Sequence, residues 1–387
     1  GEIEKYGPED VTYIEYDPGM IMAEGAKTTS NGKYSLRIVK KDPLKYFMKS
    51  NTSFNAIIQL TPPPSTLSLN RFFTTEYFRT VKAHLTPGGV FMCTPMPYYN
   101  YSPGSYRISF SSIYKSLKMS FRHVIIIPGT SLYVVASDSL LSDEIARLAG
   151  ERGIVNQYVS ADYLDDNDIR SRGQQVYSFI DKSAGDNTML RPVSSWFSNA
   201  LSLEKRGTGN AIYIIIIVMA IIPMMVVRKE GIAMFSASAG LSGFGMIIIC
   251  ILQATLGNIY LLSSLILSLL MAGLAAGASV QAAGPKKWWI LPALAVIYSL
   301  TGLTAGMIAS ISPGMIILLF SLVLLAAGFL TGILFRDMTN NRGIKVTSAV
   351  YSSDLAGAAT GYMTVSVILV PLAGINVTSY ILSAVIL

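Results

Sequence analysis

Three places in this chain carry side chains of the kind that do chemistry, or stand where such side chains belong. Glu15, with Asp17 close behind, ends the alternating segment "DVTYIEYDP" (10–18). Asp42 follows "YSLRIVKK" (34–41), and the loop "QLTPPPST" (59–66) closes the apolar run that begins at Phe54. In an open α/β sheet the loop beyond a strand's carboxyl end is where ligands and catalytic groups sit. An acid there either faces a ligand or caps the next helix through its free N–H groups; both readings are open for Glu15 and Asp42. The third loop differs, because Gln59, Leu60, Thr61, the prolines, Ser65 and Thr66 supply no acid, base or strong nucleophile.

Other chemistries lack their residues. His84 and His123 are the only histidines and there is no CxxC, so neither a zinc site nor a covalent haem has its ligands, and both histidines read as surface or packing residues. Cys93 and Cys250 fall in different halves and make no disulfide framework. Tyr98, Tyr99, Tyr101 and Tyr106 cluster in "PMPYYNYSPGSY" (95–106). Tyrosine contributes large area at low entropic cost, which suits a pocket wall or an interaction surface; a solvent-facing loop with incidental tyrosines is the other reading. The net charge of +7 comes without a basic stretch interleaved with aromatics, which argues against nucleic acid as a partner.

The elements that must position these residues come in two unlike halves. Only 14% of the 387 residues are charged, against about 25% in an ordinary soluble domain. After residue 210 only seven of the 30 basic and three of the 23 acidic residues remain, so a soluble domain precedes an integral membrane domain. In the first half, strands at 10–18, 34–41 and 54–60 alternate with helical stretches. "TTEYFRTVKAHLTPGGVFMC" reads as helix, Pro-Gly-Gly turn and strand, and one more helix and two closing strands follow. That alternation predicts a mostly parallel sheet wound in the Rossmann manner. Such a sheet opens with a strand and a Gly-rich turn, so the domain is expected to be N-terminally incomplete at "GEIEKYG".

In the second half about seven spans are expected: 211–227, 232–252, 258–282, 288–309, 314–335, 352–372, and an incomplete one from Ile375. Gly273 and Gly277, Gly302 and Gly306, and Gly357 and Gly361 form small-x-x-x-small pairs, which predict close helix packing in lipid. Asp354 is either an intramembrane site or, as its span is drawn, a helix-start cap. Arg228, Lys229, Lys286, Lys287, Arg336, Arg342 and Lys345 all fall on one side of this arrangement, while Lys205 and Arg206 precede the first span. The positive-inside rule then puts the seven in the cytoplasm and the soluble domain outside, on the periplasmic face of a bacterial inner membrane.

The order of "YIEYDP", "KKDPLKYF", "FNAIIQLTPPPSTLSLNRFFTTEYF", "HLTPGGVF" and "IIIPGTSLYVVAS" resembles the spermidine synthase (aminopropyltransferase) family. More narrowly it resembles bacterial membrane proteins in which such a domain is fused to transmembrane helices. "RGIVNQYVSADYL", "DNTMLRPVSSWF" and "GLSGFGMIIICILQATLGNIY" extend the similarity over nearly the whole chain. The resemblance implies an α/β Rossmann-like (spermidine synthase/methyltransferase-type) domain at 1–140, a helical extension and linker at 141–210, and an all-α transmembrane bundle at 211–387. It maps a ribose-binding acid of an S-adenosyl-type nucleoside onto Glu15 and an adenine-contacting acid onto Asp42.

The family's catalytic D-x-x-D-P loop falls on Leu60 and Pro63, neither of which can accept a proton from an amine. Met189 replaces the aspartate of a downstream N-x-D-x-x-P pattern, and Ile247 a glutamate usual in the membrane half. The expectation is therefore a non-catalytic membrane protein that serves as a structural or docking subunit, with membrane lipid and other membrane or extracytoplasmic subunits as partners. A membrane-anchored S-adenosyl-dependent transferase and a transporter-like protein are the alternatives.

Overall fold

The computed structural model describes residues 2–15, 34–99, 102–160, 162–205, 207, 209–257, 260–280 and 289–387. Asp17, Tyr101, Arg206, Lys286 and Lys287 lie outside the described residues. The chain divides into two compact units. The first comprises Gly1–Pro63 and Phe72–Asn187, the second Pro64–Arg71 and Thr188–Leu387.

The first unit is a small mixed α/β structure. Strand β1 (Asp10–Glu15) pairs in parallel with β2 (Ser35–Lys40). A second sheet has the order β3-β4-β6-β5 and is built from β3 (Phe54–Gln59), β4 (Leu85–Cys93), β5 (His123–Pro128) and β6 (Leu132–Ser137). Strands β3 and β4 are parallel, whereas β6 runs antiparallel to both β4 and β5. The closing strands depart from the parallel expectation because the connection from Pro128 to Leu132 allows only a hairpin, and a parallel crossover needs a dozen or more residues. Pro87, Gly88 and Gly89 form no turn ahead of a strand. They sit within β4 as a bulge, where Phe54 pairs with Leu85 but Ala56 pairs with Val90, and Gly88 takes φ +79°.

Helix α1 (Pro43–Lys49) starts at Asp42. Next come α2 (Leu67–Asn70), which belongs to the second unit, and α3 (Thr75–Ala83) and α4 (Gly104–Ser120) in the first. On α3 and α4, Phe78, Val81, Phe110, Ile113 and Leu117 recur at three- and four-residue spacing and are fully buried. Phe78 meets Phe91 of β4 at 5.7 Å, and Phe91 stacks on Phe121 at 6.0 Å. Two further helices, α5 (Ile145–Glu151) and α6 (Asp166–Ser178), complete the unit.

Helices α7 (Val193–Lys205) and α8 (Gly209–Ile221) lead into the membrane half, where α9 (Ile232–Leu256), α10 (Tyr260–Ser279), α11 (Ile290–Thr304), α12 (Pro313–Thr339), α13 (Ile344–Met363) and α14 (Val370–Ile386) follow. Among the described residues four helical stretches are long and apolar enough to cross a membrane: Lys229–Leu256, Ile290–Met307, Pro313–Thr339 and Ile344–Ile386. This makes the chain a membrane protein. The expected first span is shorter, because α8 tightens into a 3-10 turn over Ile222–Val226 around Pro223. The expected sixth and seventh spans are not joined by a loop. A π-helical turn, Thr364–Leu369, links α13 to α14, and Gly374 breaks the run with φ 82° and ψ 173°.

Candidate functional site

Glu15 stands at the carboxyl end of β1, half-buried, and its Oε2 accepts a 2.7 Å hydrogen bond from the Tyr13 hydroxyl. Asp42 has the capping geometry that its position before Pro43 suggests. Its Oδ1 accepts from Leu44 N at 2.9 Å and Lys45 N at 3.2 Å. Those bonds satisfy two of the donors that a helix start leaves open, and Pro43 gives up none by lacking its own.

The loop after β3 is occupied by structural work. The Gln59 amide donates to Thr61 Oγ1 at 2.7 Å and to the Phe72 carbonyl at 3.2 Å. Leu60 is 75% exposed and Pro63 is half-buried. Farther along, in the second unit, Thr66 caps α2 by accepting from Leu69 N. Leu67 packs against the apolar core of the membrane half. Buried Asn70 accepts a 2.6 Å bond from Ser194 Oγ of α7, and the Ser65 carbonyl accepts from Asn199 at 3.0 Å. The polar residues of the loop thus serve as caps and cross-links, each bond contributing about 1 kcal/mol.

The tyrosines divide. Tyr106 is completely buried in α4, donates to the Pro97 carbonyl at 2.9 Å and meets Phe179 edge-on at 6.0 Å. Burial, reinforced by Tyr99 and Tyr98 nearby, holds its phenol well above the usual range. Tyr99 packs edge-on against it at 5.5 Å, and Tyr98 and Tyr99 stay half-exposed. Tyr106 is therefore a core residue, with Tyr98 and Tyr99 leaning on it from the loop.

Sequence reasoning missed Asn187. It is fully buried, and its side chain donates to the Phe73 carbonyl at 2.9 Å. Its backbone exchanges bonds of 2.8 Å and 3.1 Å with Ser116 Oγ, and its carbonyl accepts from Thr75 N at 2.9 Å. This one residue ties α3 to α4. His84 has a structural role, with its ring nitrogens 2.8 Å from the Thr80 and Ser50 carbonyls. Met189, at the position noted above for a missing aspartate, is buried.

In the membrane half, Gly273 and Gly277 of α10 face Gly328 and Gly332 of α12. A Cβ on Gly277 would lie 2.1 Å from the Phe329 carbonyl oxygen, and one on Gly332 would lie 2.2 Å from that of Leu274. Gly328 and Gly332 are a fourth G-x-x-x-G that the sequence carries openly. Gly357 and Gly361 of α13 meet α9 just as closely, at 2.4 Å from the Phe235 oxygen and 2.2 Å from the Ala239 oxygen. Gly302 packs on Ser379, whereas nothing lies within 4 Å of a Cβ on Gly306, so the pair at 302 and 306 is close-packed only at its first member. Asp354 sits in the middle of α13, away from the helix start, and accepts a hydrogen bond from Ser238 Oγ.

The Gly374 break is closed by the chain leading into α7. Ile375 N donates to the Leu190 carbonyl at 2.8 Å, which satisfies a donor that the interrupted helix would otherwise leave open on a fully buried residue.

Fold and site together define a membrane protein with a mixed α/β unit and a Gly-seamed helical unit. No protein-family model matches the chain, and no curated protein matches it.

Proposed function

We propose that the chain is a non-catalytic, spermidine-synthase-like integral membrane protein that acts as a structural or docking subunit of a larger membrane assembly. One observation carries the reading: the segment after β3 has no proton acceptor at Leu60 or Pro63, and its polar residues are engaged as caps and cross-links. An amine nucleophile cannot be deprotonated without a base within hydrogen-bond reach. The parallel pairs β1/β2 and β3/β4, with helices α2 and α3 between β3 and β4, support a Rossmann-like ancestry. On this reading any S-adenosyl-type nucleoside site at Glu15 and Asp42 is vestigial, with Asp42 spent on capping α1. The α/β unit belongs on the extracytoplasmic face, where partner subunits rather than cytosolic cofactors are at hand.

The test is calorimetric titration of the detergent-purified full-length protein with decarboxylated S-adenosylmethionine, followed by putrescine turnover, alongside co-purification from native membrane. The expected result is no aminopropyl transfer and a reproducible set of co-purifying subunits. Micromolar binding with turnover ends the reading. A transporter is the second reading, favoured by the helix interrupted at Thr364–Leu369 and Gly374, since broken helices line substrate sites in transporters. Uptake into proteoliposomes decides between the two.

A further inference from the structure

Asp354 is the acid among the described residues that lies deepest inside a long apolar helix, and nothing so far gives it work. It shares one face of α13 with Gly357 and Gly361, three and seven residues on. That face lies against α9, and the two glycines bring the backbones together closely enough for a methyl group at either position to collide with an α9 carbonyl. The result is that Ser238 Oγ of α9 reaches Asp354 Oδ1 and donates to it, while the carboxyl as a whole stays half-buried. Beside it, Ser353 Oγ is buried without a hydrogen-bond partner and faces Gly231. Ionisable side chains at membrane depth are costly and face the bundle interior where they have a function.

The surroundings narrow the ligand. Helix α9 carries no charged side chain over its whole length, and neither does the turn Ile222–Val226. Arg228, Lys229 and Glu230 lie in the turn before α9, and Arg336 and Asp337 end α12. On α13 itself Lys345 stands near the start, and Tyr351 and Tyr362 are the nearest phenols in sequence. None of these basic residues forms a salt bridge with Asp354 among the described residues. Calcium takes six to eight oxygen ligands and magnesium an octahedral set, and zinc takes four, mostly His and Cys. Here one carboxyl and one hydroxyl converge, and no group of three or more His, Cys, Asp or Glu occurs among the described residues.

We propose that Asp354 and Ser238 form an intramembrane proton-binding site. Asp354 takes up and releases the proton, and Ser238 holds the carboxylate oxygen between α9 and α13. This inference is independent of the docking role proposed above, since it concerns the membrane half alone.

The experiment uses the full-length chain in lipid vesicles, treated with the hydrophobic reagent dicyclohexylcarbodiimide and read by mass spectrometry. The protonated carboxyl adds across a C=N bond, its proton passing to nitrogen and its oxygen to carbon. The adduct then rearranges to a stable N-acylurea with no atom lost. The expected result is modification at Asp354 that rises about tenfold as pH falls from about one unit above the midpoint of the site's titration to about one unit below it. Modification should vanish in Asp354→Asn, be unaffected by sodium ions, and shift its pH profile in Ser238→Ala, where the carboxylate loses its donor. Three results overturn the proposal: label on Asp337 or Glu230 but not on Asp354, labelling of Asp354 independent of pH, or protection by sodium at constant pH, which would mark a metal-ion site. Wild-type labelling alone decides the first two, so the test survives a variant that fails to fold.

Discussion

The seam between α10 and α12 permits a sharp prediction, because the same substitution should be costly at one and harmless at the other of two glycines that the sequence presents alike. A methyl group on Gly277 would stand 2.1 Å from the Phe329 carbonyl oxygen and 3.0 Å from Ile333 N. Carbon and oxygen normally come no closer than about 3.3 Å, so the helices must part by roughly 1 Å at that point. A gap of that size forfeits a quarter to a half of each dispersion contact along the seam, and overpacking of this kind costs about 1–3 kcal/mol. Gly306 lies in the 3-10 turn Ala305–Ser310 that follows α11, and a methyl group there meets no atom within 4 Å, so Gly306→Ala carries no packing cost. Unfolding of the purified protein in mixed micelles, followed by loss of helical circular dichroism as sodium dodecyl sulfate is raised, measures both. Gly277→Ala should unfold earlier than wild type, and Gly306→Ala no earlier. Equal midpoints for the two variants, or a more stable Gly277→Ala, would refute the argument that backbone proximity holds these helices together.

Three further outcomes follow from the first unit. Asn187→Ala strands the buried Phe73 carbonyl and should cost about 1–3 kcal/mol in thermal or denaturant unfolding, a loss that Asn187→Asp does not restore because the donor is still missing. Asp42→Ala removes both cap bonds of α1 and should cost about 0.5–2 kcal/mol, whereas Asp42→Asn keeps an acceptor and most of the stability. Arg170 holds the Asp143 carboxyl below the ordinary range through bonds of 3.0 Å and 3.2 Å. A depressed folded-state value contributes stability that is present above the unfolded value of about 3.9 and is lost as pH falls through the folded one. Arg170→Ala should therefore be less stable than wild type at neutral pH, by a modest margin because the pair is partly solvated, and the difference should close at acid pH.

Much of the fold is legible in the sequence because its signals are local. The strands at Asp10–Glu15, Ser35–Lys40 and Phe54–Gln59 follow from alternation and from the apolar run, and the start of α1 follows from Asp42-Pro43, which is a cap and an N1 proline side by side. What escapes is non-local. Pro87-Gly88-Gly89 has the composition of a turn, but pairing with β3 makes it a bulge inside β4. The fit of Gly328 and Gly332 against Gly273 and Gly277 requires knowing which helices are neighbours. Asn187 looks like one polar residue in a polar stretch, and only the partners brought to it by α3 and α4 make it a clamp. Gly374 could be read as a boundary between spans because glycine ends helices as readily as it interrupts them; the Leu190 carbonyl that receives Ile375 N decides in favour of interruption.

The assignment of Pro64–Arg71 to the second unit has a consequence for the chain as a whole. Residues on either side of that segment belong to the first unit, so the polypeptide passes from one to the other at 63–64, 71–72 and 187–188. A single cut at any one of these points leaves two covalent crossings between the units.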